Sequence, residues 1–225
     1  MLTLPGNASP LVASIVKKQV MALTGLFMCS FLVVHLVGNC LLFVGPEAFN
    51  QYAHFMLSNP LIALLEWGLV ALFLLHAALG LLLIRENRAA RPERYVVRKT
   101  RLKGSSLSLV SMSVTGPLIL LFLVLHLLHF RFGPVYTTVS GGLEVRDLYR
   151  TVVEYFASLP NVLLYVAAMV LMALHVQHGL WSALQSLGIN HPRYNALFEL
   201  ASNTFALVIL LGFGIIPVWI WVMLT

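Results

Sequence analysis

The chain has 225 residues, of which 60% are apolar and 10% are charged, and its mean hydropathy is +0.90. A water-soluble domain carries about 25% charged residues, so this composition excludes a soluble globule and predicts a membrane protein. The net charge is +6, but most of the basic residues fall in one segment. We therefore interpret the charge as an indication of which side of the membrane this segment faces, and we expect no nucleic acid binding.

Five apolar stretches are each long enough to cross a hydrocarbon core of about 30 Å as a helix. They lie at about residues 20–44, 61–84, 107–130, 161–186 and 201–224. We therefore predict an all-α fold, with residues 1–225 forming a single transmembrane domain.

The loop charges predict the orientation of these helices. The segment from Arg85 to Lys103 contains eight basic residues and two acidic ones, whereas the segment from Gly45 to Pro60 contains no Lys or Arg. Because basic loops stay on the cytoplasmic side, the N-terminus and the basic segment are predicted to face the cytoplasm.

A repeated pattern relates the first span to the third and the second span to the fourth. A Thr-Gly pair precedes a histidine in spans one and three, and a histidine precedes a Gly-Leu pair in spans two and four. The residues are Thr24, Gly25 and His35; Thr115, Gly116 and His126; His76 and Gly80; and His175 and Gly179. The pattern predicts two repeated helix pairs, in which equivalent histidines lie at equal depth.

The depth of each histidine follows from the helical rise. His76 and His175 follow the prolines that begin their spans by about 15 residues, which places both about 23 Å from the outer boundary. His35 and His126 lie near the outer ends of their spans. The sequence therefore predicts two histidine pairs, one above the other.

Histidines inside a membrane are costly and usually face a cavity, a partner group or a cofactor. Zinc prefers three or four ligands at one level, and a proton relay requires a line of acids, of which the spans contain only Glu66. Two axial imidazoles facing each other across a bundle suit a b-type haem. We predict two bis-histidine haems, the outer held by His35 and His126 and the inner by His76 and His175; hydrogen-bonded packing histidines are the structural alternative.

Several other residues are candidates for a role beside the haems. Gly25, Gly80, Gly116 and Gly179 would leave room for a porphyrin, although helix contact explains these glycines equally well. His129 and His178 lie one helical turn beyond the predicted ligands. They are alternative ligands or partners of a haem propionate or a quinone.

The sequence resembles the five-helix, two-haem cytochrome b subunit of bacterial succinate:quinone oxidoreductases, which comprise succinate dehydrogenases and quinol:fumarate reductases. The matching stretches are TGLFMCSFLVVHLVGN, EAFNQYAHFMLSNPL, LEWGLVALFLLHAALGLLL, TGPLILLFLVLHLLHF and LHVQHGLWSALQSLG. The resemblance implies that the family's haem ligands fall on the same four histidines, with the same pairing.

The resemblance also implies partners and a place of action. A flavoprotein subunit with FAD would interconvert succinate and fumarate, and an iron–sulfur subunit would dock on the cytoplasmic face. This chain would pass electrons to menaquinone or another quinone in the bacterial cytoplasmic membrane. The quinone would bind near the outer haem, where Asn39, Gln51 and His54 are candidate contacts and Glu66 is a candidate for proton exchange. The alternative for His54 is a solvated loop histidine, and the alternative for Glu66 is a capping or interface carboxylate.

Three residues of this chain differ from those at the matching positions of some quinol:fumarate reductases of this family. Ala173 occupies the position where some of them have a proton-conducting glutamate, and Met56 and Leu57 occupy a segment where some have an acid. These differences favour succinate oxidation over fumarate reduction.

Other readings of the sequence remain open. A di-haem cytochrome b that anchors a hydrogenase or a formate dehydrogenase would share the electron-transfer chemistry. The cytochrome b of the bc complex places two ligands on each of two helices, whereas this chain has one per helix. A haem-free transporter would require the histidine repeat to be accidental.

Overall fold

The computed structural model of the chain describes residues 10–89 and 106–224 and is mostly helical. Its helices, in chain order, are α1 (Pro10–Cys40), α2 (Pro46–Ser58), α3 (Pro60–Ala89), α4 (Ser106–Phe130), α5 (Leu148–Phe156), α6 (Leu159–Ser186) and α7 (Asn195–Leu224). A 3₁₀ turn, Leu41–Phe43, follows α1. Most of the predicted basic segment lies outside the described residues.

Five helices are long and apolar enough to cross a membrane, which confirms the number of predicted spans. The stretches are Ser14–Phe43, Pro60–Ala89, Met112–Phe130, Leu159–Ser186 and Asn195–Leu224. Their bounds differ from the predicted ones by a few residues, as is usual for helix ends.

A short hairpin between α4 and α5 departs from the all-α prediction. Strand β1 (Thr137–Ser140) pairs antiparallel with β2 (Leu143–Arg146). The two residues of the turn, Gly141 and Gly142, have φ angles of 59° and 79°. Positive φ at both central positions is typical of the type I′ turn that closes tight hairpins. The Gly-Gly pair therefore carries a turn signal that the helical prediction overlooked.

Helix α6 lies between α1, α4 and α7 and packs against all three. Small and large side chains are buried along its length, namely Val162, Tyr165, Ala168, Met169, Ala173, Val176 and Ala183. Helix α3 packs mainly on α1 and has no buried residue. The helices of each predicted repeat unit thus contact each other, α1 with α3 and α4 with α6.

At one end of the helices, α2, β1, β2 and α5 form a unit that we call the cap. Glu47 of α2 accepts hydrogen bonds from Ser140 Oγ at 2.7 Å and from Gly141 N at 3.1 Å. The hydrogen bond from Ser140 is the main cause that lowers the pKa of Glu47. Asn50 Nδ2 donates to Asp147 Oδ1 at 2.8 Å. Side-chain hydrogen bonds therefore tie α2 to both the hairpin and the start of α5.

The end opposite the cap contains the start of α1 and the end of α3. An ion pair between Lys17 and Glu86 joins them. The sequence prediction places the N-terminus and the basic segment on one side of the membrane, and this contact brings their described parts to one end of the bundle. That this end faces the cytoplasm stays a prediction.

Candidate functional site

The structure brings the four predicted ligand histidines together as two facing pairs. The ring centroids of His76 and His175 are 6.4 Å apart, with an angle of 71° between the ring planes. The centroids of His35 and His126 are 5.9 Å apart, with an angle of 88°. We call these the cap-distal pair and the cap-side pair.

The two pairs lie at different levels along the helices. Thr24 of α1 contacts His76, and His35 follows Thr24 by eleven residues on the same helix. Eleven residues of α-helix span about 16 Å. The same spacing separates Thr115, which contacts His175, from His126 on α4. The levels therefore agree with the arrangement that the repeat predicts.

Threonine hydroxyl groups contact both histidines of the cap-distal pair. Thr24 Oγ1 lies 3.0 Å from His76 Nδ1, and Thr115 Oγ1 lies 3.2 Å from His175 Nδ1. A backbone hydrogen bond with Met21 also reaches His76. The sequence analysis identified the two threonines as part of the repeat but gave them no role.

The glycines that follow these threonines lie against the same histidine rings. A Cβ atom at Gly25 would be 3.3 Å from His76 Cε1, and one at Gly116 would be 3.7 Å from His175 Cε1. Each Thr-Gly pair therefore forms one surface, in which the hydroxyl group contacts the ring nitrogen and the glycine leaves space for the ring. The other two predicted glycines differ, because a Cβ at Gly80 would meet Met21 and one at Gly179 would meet nothing within 4 Å.

Aromatic side chains surround His35 of the cap-side pair. Phe31, one turn earlier on α1, stacks on the His35 ring at 5.3 Å, and Phe213 of α7 packs on it at 5.5 Å. Asn39 Nδ2 donates to the His35 backbone oxygen at 2.8 Å and lies 3.4 Å from Nε2 of the ring. The structure thus places Asn39, a predicted quinone contact, beside a predicted haem ligand.

His126 has a similar apolar environment with one hydroxyl group. Phe122 and Phe130 pack on its ring at 5.9 and 5.3 Å. The Tyr165 hydroxyl group of α6 lies 3.4 Å from His126 Nδ1. The sequence analysis missed Tyr165; its only signal was a tyrosine inside an apolar span, where a buried hydroxyl group needs a partner.

The two additional histidines lie outside both pairs. The His129 ring packs on Tyr155 of the cap at 4.4 Å, and its buried Nδ1 has no hydrogen-bond partner among the described residues. His178 is half-buried on α6, one turn beyond His175. Neither ring faces another histidine in residues 10–89 and 106–224, so the structure favours the residues of the repeat over these alternatives as a facing pair.

The predicted quinone contacts do not converge on one site. Glu66 forms an ion pair with Arg131 at 3.2 Å, with both side chains nearly half exposed. Gln51 donates to Glu47 within α2. His54 lies within helix α2, so its predicted place in a loop was wrong; it is half-buried, and no hydrogen bond to it occurs within the described part of the chain. Glu66 therefore has the interface role that was the alternative in the sequence analysis, and its part in proton exchange stays a prediction.

The spacing within each histidine pair fits a metal ion held from two opposite sides. Metal–imidazole bonds of about 2.0 Å would place the centroids of two rings on opposite sides of one metal ion about 6 Å apart. The observed 5.9 and 6.4 Å bracket this value. The described residues contain no group of three or more His, Cys, Asp or Glu side chains that could hold a metal ion. A haem fits two such ligands, because its macrocycle supplies the remaining four nitrogens.

Comparison with known proteins gives no family assignment, since no family model, curated protein or solved structure matches the chain.

Proposed function

We propose that this chain is the membrane subunit of a bacterial succinate:quinone oxidoreductase and carries two bis-histidine b-type haems. A flavoprotein with FAD and an iron–sulfur protein would be its partners at the end opposite the cap, in the cytoplasmic membrane. The resemblance of the sequence supports the choice of this family. The physiological direction that the sequence favours is succinate oxidation.

The observation that carries the proposal is the two facing histidine pairs at two levels of one helix bundle. Two haems held there would provide reversible one-electron transfer between the two ends of the membrane span. Because both axial positions would be occupied by imidazoles, these sites favour electron transfer over oxygen chemistry. Apart from Asn39, the residues that contact the cap-side pair are aromatic, so the chain itself would exclude most water from it.

The cap end of the bundle contains groups that support a quinone site near the cap-side pair. Glu66 and Arg131 form an ion pair there between α3 and α4, and His129 has a buried, unpartnered nitrogen within the described residues. Glu66 would exchange protons as a carboxylate that accepts them, and Arg131 would supply a hydrogen-bond donor near the cap-side pair. We propose the roles of these residues, and the type of quinone, together with the site.

The test is a reduced-minus-oxidised visible spectrum of the purified complex, with haem quantified per chain. We expect about two b-type haems, of which His35→Ala loses one and His76→Ala loses the other. His178→Ala is the matched control, because this histidine lies one turn from a predicted ligand and should retain both haems. A pigment-free protein, or loss of the same haem in both ligand variants, would contradict the proposal.

A second measurement separates this family from other di-haem anchors. Membranes that contain the complex should reduce a quinone at the expense of succinate, and the FAD subunit should copurify with the chain. Two haems without any succinate-dependent reduction would instead indicate an anchor for another dehydrogenase, such as a hydrogenase or a formate dehydrogenase.

A further inference from the structure

We propose that Thr24 and Thr115 are positioning residues that orient His76 and His175 and lower the reduction potential of the cofactor between them. This inference rests on the proposed function, because it concerns a redox group held by the cap-distal pair. The two hydroxyl groups occupy equivalent places in the two repeat units. They would therefore act on the same metal ion from its two sides.

Burial fixes both hydroxyl groups in place. Thr24 and Thr115 are each 3% exposed, although they lie in helices whose other faces are exposed to lipid. A buried hydroxyl group in an apolar span requires hydrogen-bond partners, because lipid provides none. The only side-chain partner of each among the described residues is a histidine ring nitrogen.

The hydrogen bonds of Thr24 determine which nitrogen of His76 carries a proton. Thr24 Oγ1 lies 2.9 Å from the Val20 carbonyl oxygen and 3.0 Å from that of Met21. The single hydroxyl proton is donated to these carbonyl oxygens, so the hydroxyl oxygen accepts from His76 Nδ1–H. This contact requires a proton on Nδ1, which leaves Nε2 free to ligate a metal.

The neighbouring glycines hold the rings in this orientation. A Cβ at Gly25 would be only 3.3 Å from His76 Cε1, so the ring packs directly on the α1 backbone. The His76 ring has little freedom to rotate, because the Thr24 hydroxyl group contacts its edge and the α1 backbone lies against its face. This explains why the repeat contains the dipeptide and not a glycine alone.

For His76 the electronic effect follows from donation by Nδ1–H; for His175, where Thr115 Oγ1 lies 3.2 Å from Nδ1, we assign the same direction from the repeat. A histidine that donates its second ring proton to an acceptor becomes a more basic ligand, which stabilises the oxidised metal. Removal of the acceptor should therefore raise the reduction potential of that haem. The cap-side pair has no threonine partner among the described residues, so its potential should not change.

The experiment compares Thr→Val and Thr→Ser variants at both positions in the intact complex. Valine keeps the shape but lacks the hydroxyl group, whereas serine keeps the hydroxyl group but lacks the methyl group. Ser202→Ala is the control, because Ser202 is 1% exposed and its hydroxyl group donates to Phe198 O in the same manner without contacting a histidine. Redox titration of the visible spectrum measures both haems separately.

We expect each valine variant to shift the reduced-to-oxidised ratio of one haem about two- to tenfold, or about 20–60 mV upward for a one-electron couple. The double variant should add both shifts on the same haem. The serine variants and Ser202→Ala should titrate like the wild type.

Three outcomes would overturn the inference. Unchanged potentials in both valine variants would show that the hydroxyl groups have no electronic role. Equal shifts in the valine and serine variants would assign the effect to packing alone. Shifts in the haem that persists in His76→Ala would place the threonines at the wrong pair. In all three cases two haems are still present, so the proposed function stands; a wild-type complex without haem would refute the proposed function itself.

Discussion

Arg146, at the end of β2, connects the cap to the helix that carries His126. Its Nη2 atom donates to Phe130 O at 3.0 Å and to Pro134 O at 3.4 Å, and Nη1 donates to Arg131 O at 3.3 Å. The last carbonyl groups of a helix have no partners within the helix, and a cation there is favoured by the helix dipole. We predict that Arg146→Met destabilises the last turn of α4.

The magnitude follows from these contacts. A hydrogen bond from a charged donor contributes about 1.5–3 kcal/mol, and only the bond to Phe130 has near-ideal length. The two longer bonds add less, since solvent reaches them. Burial of Arg146 Nε without a partner in the described residues offsets part of the gain, by about 1 kcal/mol or more. The expected net loss is about 1–2 kcal/mol, confined to the cap end of α4.

Hydrogen exchange of the complex in detergent measures this loss locally. Amides of the last turn of α4 should exchange about 5- to 30-fold faster in Arg146→Met, whereas those of α7 should not change. Arg146→Lys is the control, because it keeps the charge but cannot reach three carbonyl oxygens. Its exchange rates in the last turn of α4 should lie between those of the wild type and of Arg146→Met. Wild-type exchange rates in Arg146→Met would refute the reasoning that this side chain terminates α4.

Three further predictions concern close contacts and one carboxylate. Gly25→Ala should shift the spectrum of the cap-distal haem more than Gly116→Ala, because its methyl group would be 3.3 Å instead of 3.7 Å from a histidine ring; equal spectra would contradict this. Gly38→Ala places a methyl group 2.6 Å from Tyr52 Cε1, so it should lower the free energy of unfolding by about 1–3 kcal/mol in chemical denaturation, and wild-type stability would refute it. The pKa of Glu47 is lower in the folded protein than in the unfolded chain, where it is about 4.3. Its stabilisation of the hairpin is therefore present above the unfolded pKa and is lost as the pH falls through the folded pKa. Amide exchange of the turn should show this pH dependence in the wild type and not in Glu47→Gln.

The membrane helices could be predicted because hydropathy and length alone determine which segments cross a bilayer. The cap could not be predicted in the same way. Its helix α5 is only nine residues long, and its contacts join residues far apart in the chain, such as Asn50 to Asp147. Such contacts depend on how the helices before and after them pack. The hairpin was not predicted either, but it could have been, because its two consecutive glycines mark the turn locally.

The facing histidines could be derived because the repeat and the helical rise fix both level and partner. The groups that contact them could not. Tyr165 on α6 contacts His126 on α4, which is 39 residues away in the sequence. No periodic pattern in the sequence indicates a contact between them. Thr24 was visible in the repeat, but its role required knowledge of which ring lies opposite. Asn39 was predicted to contact a quinone because it is a polar residue close in sequence to His35; in the structure its side chain donates to the His35 backbone oxygen within the same helix.

The two histidine pairs consist of the same kind of side chain but depend on different parts of the chain. The cap-distal pair is held by Thr-Gly surfaces that lie within the spans. The cap-side pair is next to aromatic rings that continue into the cap, since Phe130 packs on Tyr155 of α5 at 5.2 Å. A duplicated helix pair would give two equal sites; the cap makes them unequal, because it contacts only one of them. Damage to the cap, as in Arg146→Met, should therefore affect the cap-side haem first and leave the other haem unchanged, whereas variants of Thr24 should do the reverse.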